Sequence, residues 1–531
     1  MKYTPWQLPE NPFDYVKLIS CRDGIGIIPK NKLGCKIGII GAGCSGLCAA
    51  YELMKIGLHP VIYESSKNID GTPRIGGRAY TYHFPGDPNA FAELGAMRIP
   101  PLHRTLKYYM DKFNIDYSQP FPDPLTVPTT LYFEGKKYFI PLGGVLPTFV
   151  KKASDAWEGL INPLIKKISS AWDNPELRKK QWQEYVKEYA NKSFYQVLYE
   201  HGLSAREIKY FGSMGLGTGG FDSLYPISFI EILRLTVCQW EKDQRLIKGG
   251  FSQIPETFWS NRRKCQHWGL SSVGQLNNNK PLRAVREIYT PPDPLEKVSI
   301  TDIDGNTEKY DAVIVTCSLR ALEMGIKVNR NTFSDEIWSA IQNNHMMRSG
   351  KIFVRTKDAF WKNKSPESTI NCTITDEAIR GCYLFDFDNT SSGVICMSYT
   401  WEDASTKFHA LSENDRVMKC VSILKTIYGE DFISDQVVES ISFFWEHAKG
   451  YNGAFKLNYP GQYKDQSILF HQPISSSPET HNGVYLAGET ISWAGGWIEG
   501  AIHSGLDSSM SVIQRLGGKL SGIISKRRDI T

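Results

Sequence analysis

A chain of 531 residues exceeds what one hydrophobic core usually serves, so two or more domains are predicted. With 41% hydrophobic and 22% charged residues it is neither disordered nor collagen-like, and a net charge of +5 without a basic, aromatic-interleaved stripe excludes nucleic acid as a partner. No uninterrupted apolar stretch of about eighteen residues occurs, which excludes a spanning helix. The first fourteen residues lack the apolar core of a signal peptide, and the eleven cysteines, without a C-x-x-C pair, read as reduced, packed thiols. A cytoplasmic location is the expectation.

Residues before Lys36 mix Pro, Asn and Gly with short apolar runs and read as an arm on the first domain. Residues 36–64 then read as strand, glycine turn, helix, strand, acid. Ile37, Ile39 and Ile40 suit a strand buried on both faces, and Gly41, Gly43 and Gly46 stand at the G-x-G-x-x-G spacing. The spacing has a mechanical reason: Gly41 makes a tight turn, Gly43 lets the backbone approach a pyrophosphate, and Gly46 lets the helix pack on the strand. The helix N-terminus meets the phosphates, and Glu64, roughly twenty residues on, can accept from ribose hydroxyls. This context identifies a dinucleotide site without choosing between NAD and FAD.

Residues 70–78 form a Gly/Pro loop in which Gly76 and Gly77 permit close approach and Arg78 can meet a phosphate, a second pyrophosphate contact. Gly95, Ala96, Met97 and Arg98 follow, ahead of two prolines and a helix from His103 to Phe113. An arginine between small and apolar residues needs a partner. Arg98 is either half of a structural salt bridge or a planar fork for a substrate carboxylate, and the segment alone does not choose.

Residues 131–140 read as a hairpin turning at Gly135. From 149 to 244 the pattern is helical, with a core stripe at Trp157, Leu160, Ile161, Leu164, Ile165 and Ile168, a glycine-rich segment at 212–222 suited to lining a cavity, and a second helix from Ser228 to Trp240. Residues 284–317 read as a β-meander turning at Asp304-Gly305 and ending in the buried strand 312–316, which returns the chain to the nucleotide domain. Strands recur around 351–354, 382–385 and 393–397, implying a second sheet. Residues 483–490 form a buried strand that passes through glycines into a helix opening near Gly496, its positive end aimed over the first motif. His103, His345 and His503 are isolated, and no metal-ligand spacing is present.

The glycine turn, Gly76-Gly77-Arg78, Gly95-Ala96-Met97-Arg98, residues 349–353 around Lys351, Ala487-Gly488-Glu489 and Gly496-Trp497-Ile498-Glu499 together resemble the flavin-dependent L-amino-acid oxidases of the monoamine-oxidase superfamily. Within it they are similar to the bacterial 2-monooxygenases acting on lysine, tryptophan or phenylalanine. The resemblance covers Lys36 to Leu516. It implies an α/β fold: a Rossmann-like FAD-binding domain, a mixed-sheet substrate domain and a helical subdomain. The implied division is FAD-binding at 1–100 with the arm, 246–330 and 451–531 with the tail, substrate domain at 101–148 and 331–450, and helical subdomain at 149–245.

By that resemblance the cofactor is FAD, held by Gly41, Gly43, Ser45, Gly46, Glu64, Gly77, Arg78, Gly95, Ala96, Met97, Arg98, Val285, Gly488, Glu489, Gly496, Trp497 and Ile498. Glu64 meets the adenosine ribose, Val285 adenine, Arg78 the pyrophosphate and Glu489 the ribityl chain, while backbone at Ile498 faces the pyrimidine edge, where a helix N-terminus stabilises the reduced anion. Covalent members use a cysteine just before the last helix; residues 489–499 contain none, so FAD is expected noncovalent. Arg98 matches the carboxylate-binding arginine, helped by Tyr383; Trp497 forms an aromatic wall; Lys351 matches the lysine that assists oxygen through water. Asp222 and Cys238 resemble pocket residues of the lysine-acting members. The activity implied is oxidation of a free L-amino acid, lysine or another basic or large side chain favoured, giving oxo acid, ammonia and peroxide, or amide and carbon dioxide. An amine or polyamine oxidase and a flavoprotein scaffold without turnover are the alternatives. The expected partners are the amino acid and O2, a homodimer being allowed, with no membrane.

Overall fold

The isoleucine run Lys36–Ile40 lies inside a four-stranded parallel sheet ordered Val484–Leu486, Ala312–Val315, Lys36–Ile40 and His59–Tyr63 in this computed structural model. It describes residues 7–22, 24–124, 126–214, 221–363, 371–433, 435–475 and 482–521. Ile37, Ile39, Ile314, Val484 and Leu486 are buried, because elements cover both faces of the sheet, as a parallel sheet requires. One face carries helix Cys44–Lys55 and the C-terminal helix Ile498–Arg515, which pack on each other so closely that a Cβ on Gly505 would stand 2.5 Å from the Ser45 carbonyl. Across the other face lies the meander, Thr307–Tyr310, Val298–Asp302 and Val285–Tyr289 with Lys327–Val328 at its edge. The hydroxyls of Tyr63 and Tyr310 meet at 2.7 Å and tie the two sheets together.

A seven-stranded mixed sheet gathers three stretches of chain, in the order Val437–Phe444, Ser349–Thr356, Gly393–Trp401, Gly381–Phe385, Cys372–Thr375, Thr129–Phe133 and Lys136–Ile140. The hairpin turns at Glu134 and Gly135, both at positive φ. Register places Lys351 between Tyr399 and Phe443, so these three side chains share one face across three strands.

Helices Thr148–Ser170, Pro175–Tyr189, Phe194–Glu200, Ala205–Met214 and Phe229–Val237 pack on one another beside this sheet. Trp157, Leu160, Ile161 and Ile168 of the predicted stripe are buried in their shared core. Residues 215–220 of the predicted glycine segment lie outside the described residues. The N-terminal arm closes over this region: Glu10 accepts from Nε and Nη2 of buried Arg234 at 2.8 and 2.6 Å, and the Tyr15 hydroxyl donates to Asp507. Among the described residues no helix is long and apolar enough to cross a membrane. The architecture is the predicted α/β one.

Candidate active site

One cavity of about 1550 Å³ runs from the glycine turn to the helical region. Of the seventeen residues predicted to hold the cofactor, all except Gly46 line it. The exception is instructive. A Cβ on Gly46 would stand 2.1 Å from the Gly41 carbonyl, whereas one on Gly43 would meet nothing closer than Gly77 Cα at 3.8 Å. Gly46 thus serves packing and Gly43 leaves backbone open to a ligand, as the spacing argues. Ser45, at the first turn of helix Cys44–Lys55, has a buried Oγ without a partner among the described residues, beside the helix's free N–H groups. Both Glu64 oxygens are fixed by backbone N–H groups, Oε2 by Ala42 at 2.7 Å and Oε1 by Ser65 and Ser66, which aims the carboxylate. Val285 forms wall at the same end. This donor set fits a dinucleotide pyrophosphate with its ribose.

Midway, Arg78 donates to Glu489 at 2.5 Å and to the Ala454 carbonyl, and the other Glu489 oxygen accepts from Gly496 N and Lys456 N. Glu489 therefore fastens the Arg78 loop to the glycine turn that opens the C-terminal helix. Gly95 is enforced by contact, since a Cβ there would stand 1.9 Å from the Arg78 carbonyl. Lys351, 3% exposed, donates to the carbonyls of Glu93 at 2.9 Å and Gly95 at 2.6 Å and lies over the Tyr399 ring. Burial pushes its ammonium down to about 8 and, on the same segment, pushes the Glu93 carboxyl up to about 7. A lysine has three N–H donors, and two are committed here to the segment that carries Met97 and Arg98.

At the far end Arg98 rests over the Phe121 ring and forms two long ion pairs, with Asp123 at 3.6 Å and Glu241 at 3.7 Å. It donates no hydrogen bond among the described residues, although the guanidinium carries five N–H groups. Burial opposes its charge, but Glu241 and Asp123 outweigh burial and hold it cationic. Burial also pushes the Asp123 carboxyl up to about 6 against the pull of Arg98. The cavity wall also carries Trp157, Leu224, Ile232, Leu235, Trp401 and Trp497, together with the carboxylates of Asp123, Glu241 and Asp243.

Three predicted substrate residues are not brought to this cavity. Asp222, in the short turn Phe221–Leu224, accepts instead from Arg380 Nη2 at 2.7 Å. Cys238 caps helix Phe229–Val237 and directs its thiol to the Gln7 carbonyl of the arm. Tyr383 stands behind Phe121, fully buried. Tyr399, one strand over, lines the cavity beside Lys351 instead, with Phe443 on the other side of Lys351. Pairing the strand of Lys351 with residues 393–401 was the signal for it, but the register is not readable from either strand alone.

Glu499 is a further residue with a role legible only in three dimensions. From the first turn of the C-terminal helix it accepts Thr105 N at 2.9 Å and Leu106 N at 2.7 Å, capping helix Arg104–Phe113, and it bonds His503 at 3.1 Å. Burial opposes its charge, yet His503, His103 and the Thr105 N–H hold the carboxyl down at about 2. Two helix N-termini are thus clasped beside Arg98 and Trp497.

Comparison with known proteins agrees with this geometry. Residues 44–513 match the family described as flavin containing amine oxidoreductase. The chain is 31% identical to a tryptophan 2-monooxygenase of Pseudomonas savastanoi over 96% of its length and 94% of that protein, and 30% identical to one of Pantoea agglomerans pv. gypsophilae over 97% and 96%. In fold it is similar to the cyclohexylamine oxidase of Brevibacterium oxydans IH-35A, with TM-score 0.70 at 16% identity, covering 91% of this chain and all of that one.

Proposed function

Since the chain belongs to the flavin-containing amine oxidoreductase family, we propose that it oxidises a free L-amino acid with a large, chiefly apolar or aromatic side chain, using O2. It is an oxidoreductase of the amino-acid oxidase and monooxygenase kind, and FAD is its cofactor. The observation that carries the substrate reading is Arg98: a buried, charged fork lining the cavity that makes no hydrogen bond among the described residues and is balanced by two longer ion pairs, to Asp123 and Glu241. A carboxylate in bidentate contact completes it, and amines, which lack one, do not.

The chemistry FAD would supply when bound is hydride acceptance and electron delivery to oxygen, and the turn residues, Glu64, Arg78 and Glu489 would hold it without a covalent bond. Arg98 fixes the carboxylate, and the wall from Trp157 to Trp497 takes the side chain, which together set the Cα–H in one orientation. Lys351, tied to the 93–95 carbonyls, keeps one N–H for a water at the oxygen-reacting side. Escape of the imino acid leads to oxo acid, ammonia and peroxide; its retention leads to the amide and carbon dioxide. A basic side chain such as lysine is a second reading, favoured by the Asp123, Glu241 and Asp243 carboxylates on the wall by Arg98, not by Asp222.

Anaerobic titration of the FAD-loaded protein with L-tryptophan, L-phenylalanine, L-lysine and the matching amines tests this, with products assigned by mass after aeration. Amino acids should bleach the flavin at least about 100-fold faster than their amines. Equal rates for both would sink the carboxylate role. Failure of every compound to bleach it would leave a flavoprotein scaffold.

A further inference from the structure

We propose that Asp123 receives the α-ammonium of the bound amino acid and takes its proton, so that hydride leaves Cα from a neutral amine. The inference rests on the amino-acid reading above and adds a catalytic residue to it. Arg98 orients a carboxylate but does nothing for the cationic nitrogen two bonds away, whose electron pair is held in an N–H bond. Loss of hydride from Cα needs that pair, because it becomes the second bond of the C=N product. In the step, R–CH(NH3+)–COO− and the Asp123 carboxylate become R–CH(NH2)–COO− and the Asp123 carboxylic acid. Hydride then passes from Cα to oxidised FAD, which is thereby reduced by two electrons, and R–C(=NH2+)–COO− remains opposite Arg98.

Asp123 stands beside the fork that fixes the carboxylate, within reach of the attached nitrogen. Its Oδ1 lies 3.6 Å from Arg98 Nη1, it lines the cavity, and its carboxylate makes no hydrogen bond among the described residues. The loop that carries it is fixed: Asp123 N donates to the Phe121 carbonyl at 2.8 Å, and Thr126 N and Oγ1 return to the Asp123 carbonyl. Glu241, the other carboxylate beside Arg98, is less suited. Its Oε2 already accepts Gln244 Nε2 at 3.2 Å, and its side chain is 36% exposed against 16% for Asp123. Asp243 is exposed as well. Burial, with Glu241 and Asp243 nearby, pushes the Asp123 carboxyl up to about 6 against the pull of Arg98. It is therefore ionised at neutral pH yet more basic than an ordinary aspartate. Tyr383 and Cys372, the sheet residues that feel its charge, are kept neutral by burial.

The test is the pH dependence of anaerobic flavin reduction in the FAD-loaded protein, using whichever of the three amino acids above reduces it fastest. The second-order rate constant is followed from about pH 5 to about pH 10. In the wild type it should rise through about pH 6 and level off. Asp123→Asn should lie about 100-fold lower at neutral pH and climb about tenfold per pH unit toward the pKa of the ammonium, because only substrate that arrives neutral reacts. Asp123→Glu should recover most of the rise at low pH, and Glu241→Gln should keep the plateau above it. Affinity for 3-phenylpropanoate, a carboxylate without an amine, is read from the flavin absorbance and should fall less than about threefold in Asp123→Asn. A residue that merely held Arg98 in place would lose that affinity in step with reduction. A wild-type profile without the rise, an Asp123→Asn profile parallel to the wild type, a matching loss of 3-phenylpropanoate, or transfer of the effect to Glu241→Gln would each overturn the assignment. The wild-type profile decides even if Asp123→Asn fails to fold. Reduction by no amino acid at any pH would instead sink the amino-acid reading itself.

Discussion

The two ends of the cavity are built differently. At the proposed adenine end the donors are local: Gly41, Gly43, Ser45 and Glu64 come from one strand–helix–strand unit, which offers backbone N–H groups and a helix N-terminus to a cofactor. At the Arg98 end it is assembled. Arg98 follows one strand, Lys351 and Tyr399 sit on two others, Leu235 on a helix and Trp497 at the cap of the last helix. Local construction makes the nucleotide end tolerant of chemistry elsewhere, while the assembled end fails piece by piece, each piece with its own kinetic signature.

Arg98→Ala should separate the two ends most sharply. With a bidentate, charge-assisted pair removed, kcat/KM for amino acids should fall by about 10³ while FAD content and affinity stay normal. Stopped-flow reduction with a flavin titration checks this, and loss of FAD in step with activity would break the separation. Arg98→Lys should recover little, since an ammonium cannot make the fork.

Lys351→Met should slow reoxidation by about 100-fold and leave reduction by substrate nearly normal. The pH profile sharpens it. Because burial lowers this ammonium to about 8, it is protonated below that pH, so wild-type oxygen reactivity should fall as pH rises through about 8. The same limb in Lys351→Met would remove Lys351 from the step.

Within the adenine end, two glycines should behave oppositely. Gly43→Ala meets open space and should weaken FAD about tenfold with the apoprotein's melting temperature unchanged. Gly46→Ala drives a Cβ into the Gly41 carbonyl and should destabilise the apoprotein by about 1–3 kcal/mol. Thermal melts with and without FAD distinguish them, and equal melting shifts would refute the division of roles.

The smallest effect is expected at Asp222→Asn. With its carboxylate committed to Arg380, the change should alter the lysine-to-phenylalanine preference less than about threefold and cost about 1 kcal/mol or less. A selective loss for lysine would instead return Asp222 to the substrate site.

The same contrast governs what could be read beforehand. The glycine spacing, the isoleucine strand and the acid at Glu64 are a contiguous pattern, and its residues took the places their spacing implied. Arg98 and Lys351 were legible as residues out of place: an arginine among small apolar groups and a lysine opening a strand. Tyr383, Asp222 and Cys238 do not line the cavity: Asp222 pairs with Arg380, Cys238 turns to the arm's carbonyl, and Tyr383 is buried against Phe121, close enough to Arg98 to feel its charge. Tyr399 carried no local signal, and Glu499, although part of the Gly496–Glu499 motif, gave no sign that it caps helix Arg104–Phe113.

By itself, then, the sequence determined the fold class, the glycine turn and two buried charged groups, Arg98 and Lys351, since these follow from periodicity, glycine geometry and the cost of burying charge. Only the tertiary structure decided that Gly46 packs while Gly43 opens, that Tyr399 and Phe443 flank Lys351, and that Asp123 and Glu241 stand beside the Arg98 fork without hydrogen bonding it. Those depend on strand register and on segments hundreds of residues apart meeting, which no local pattern encodes.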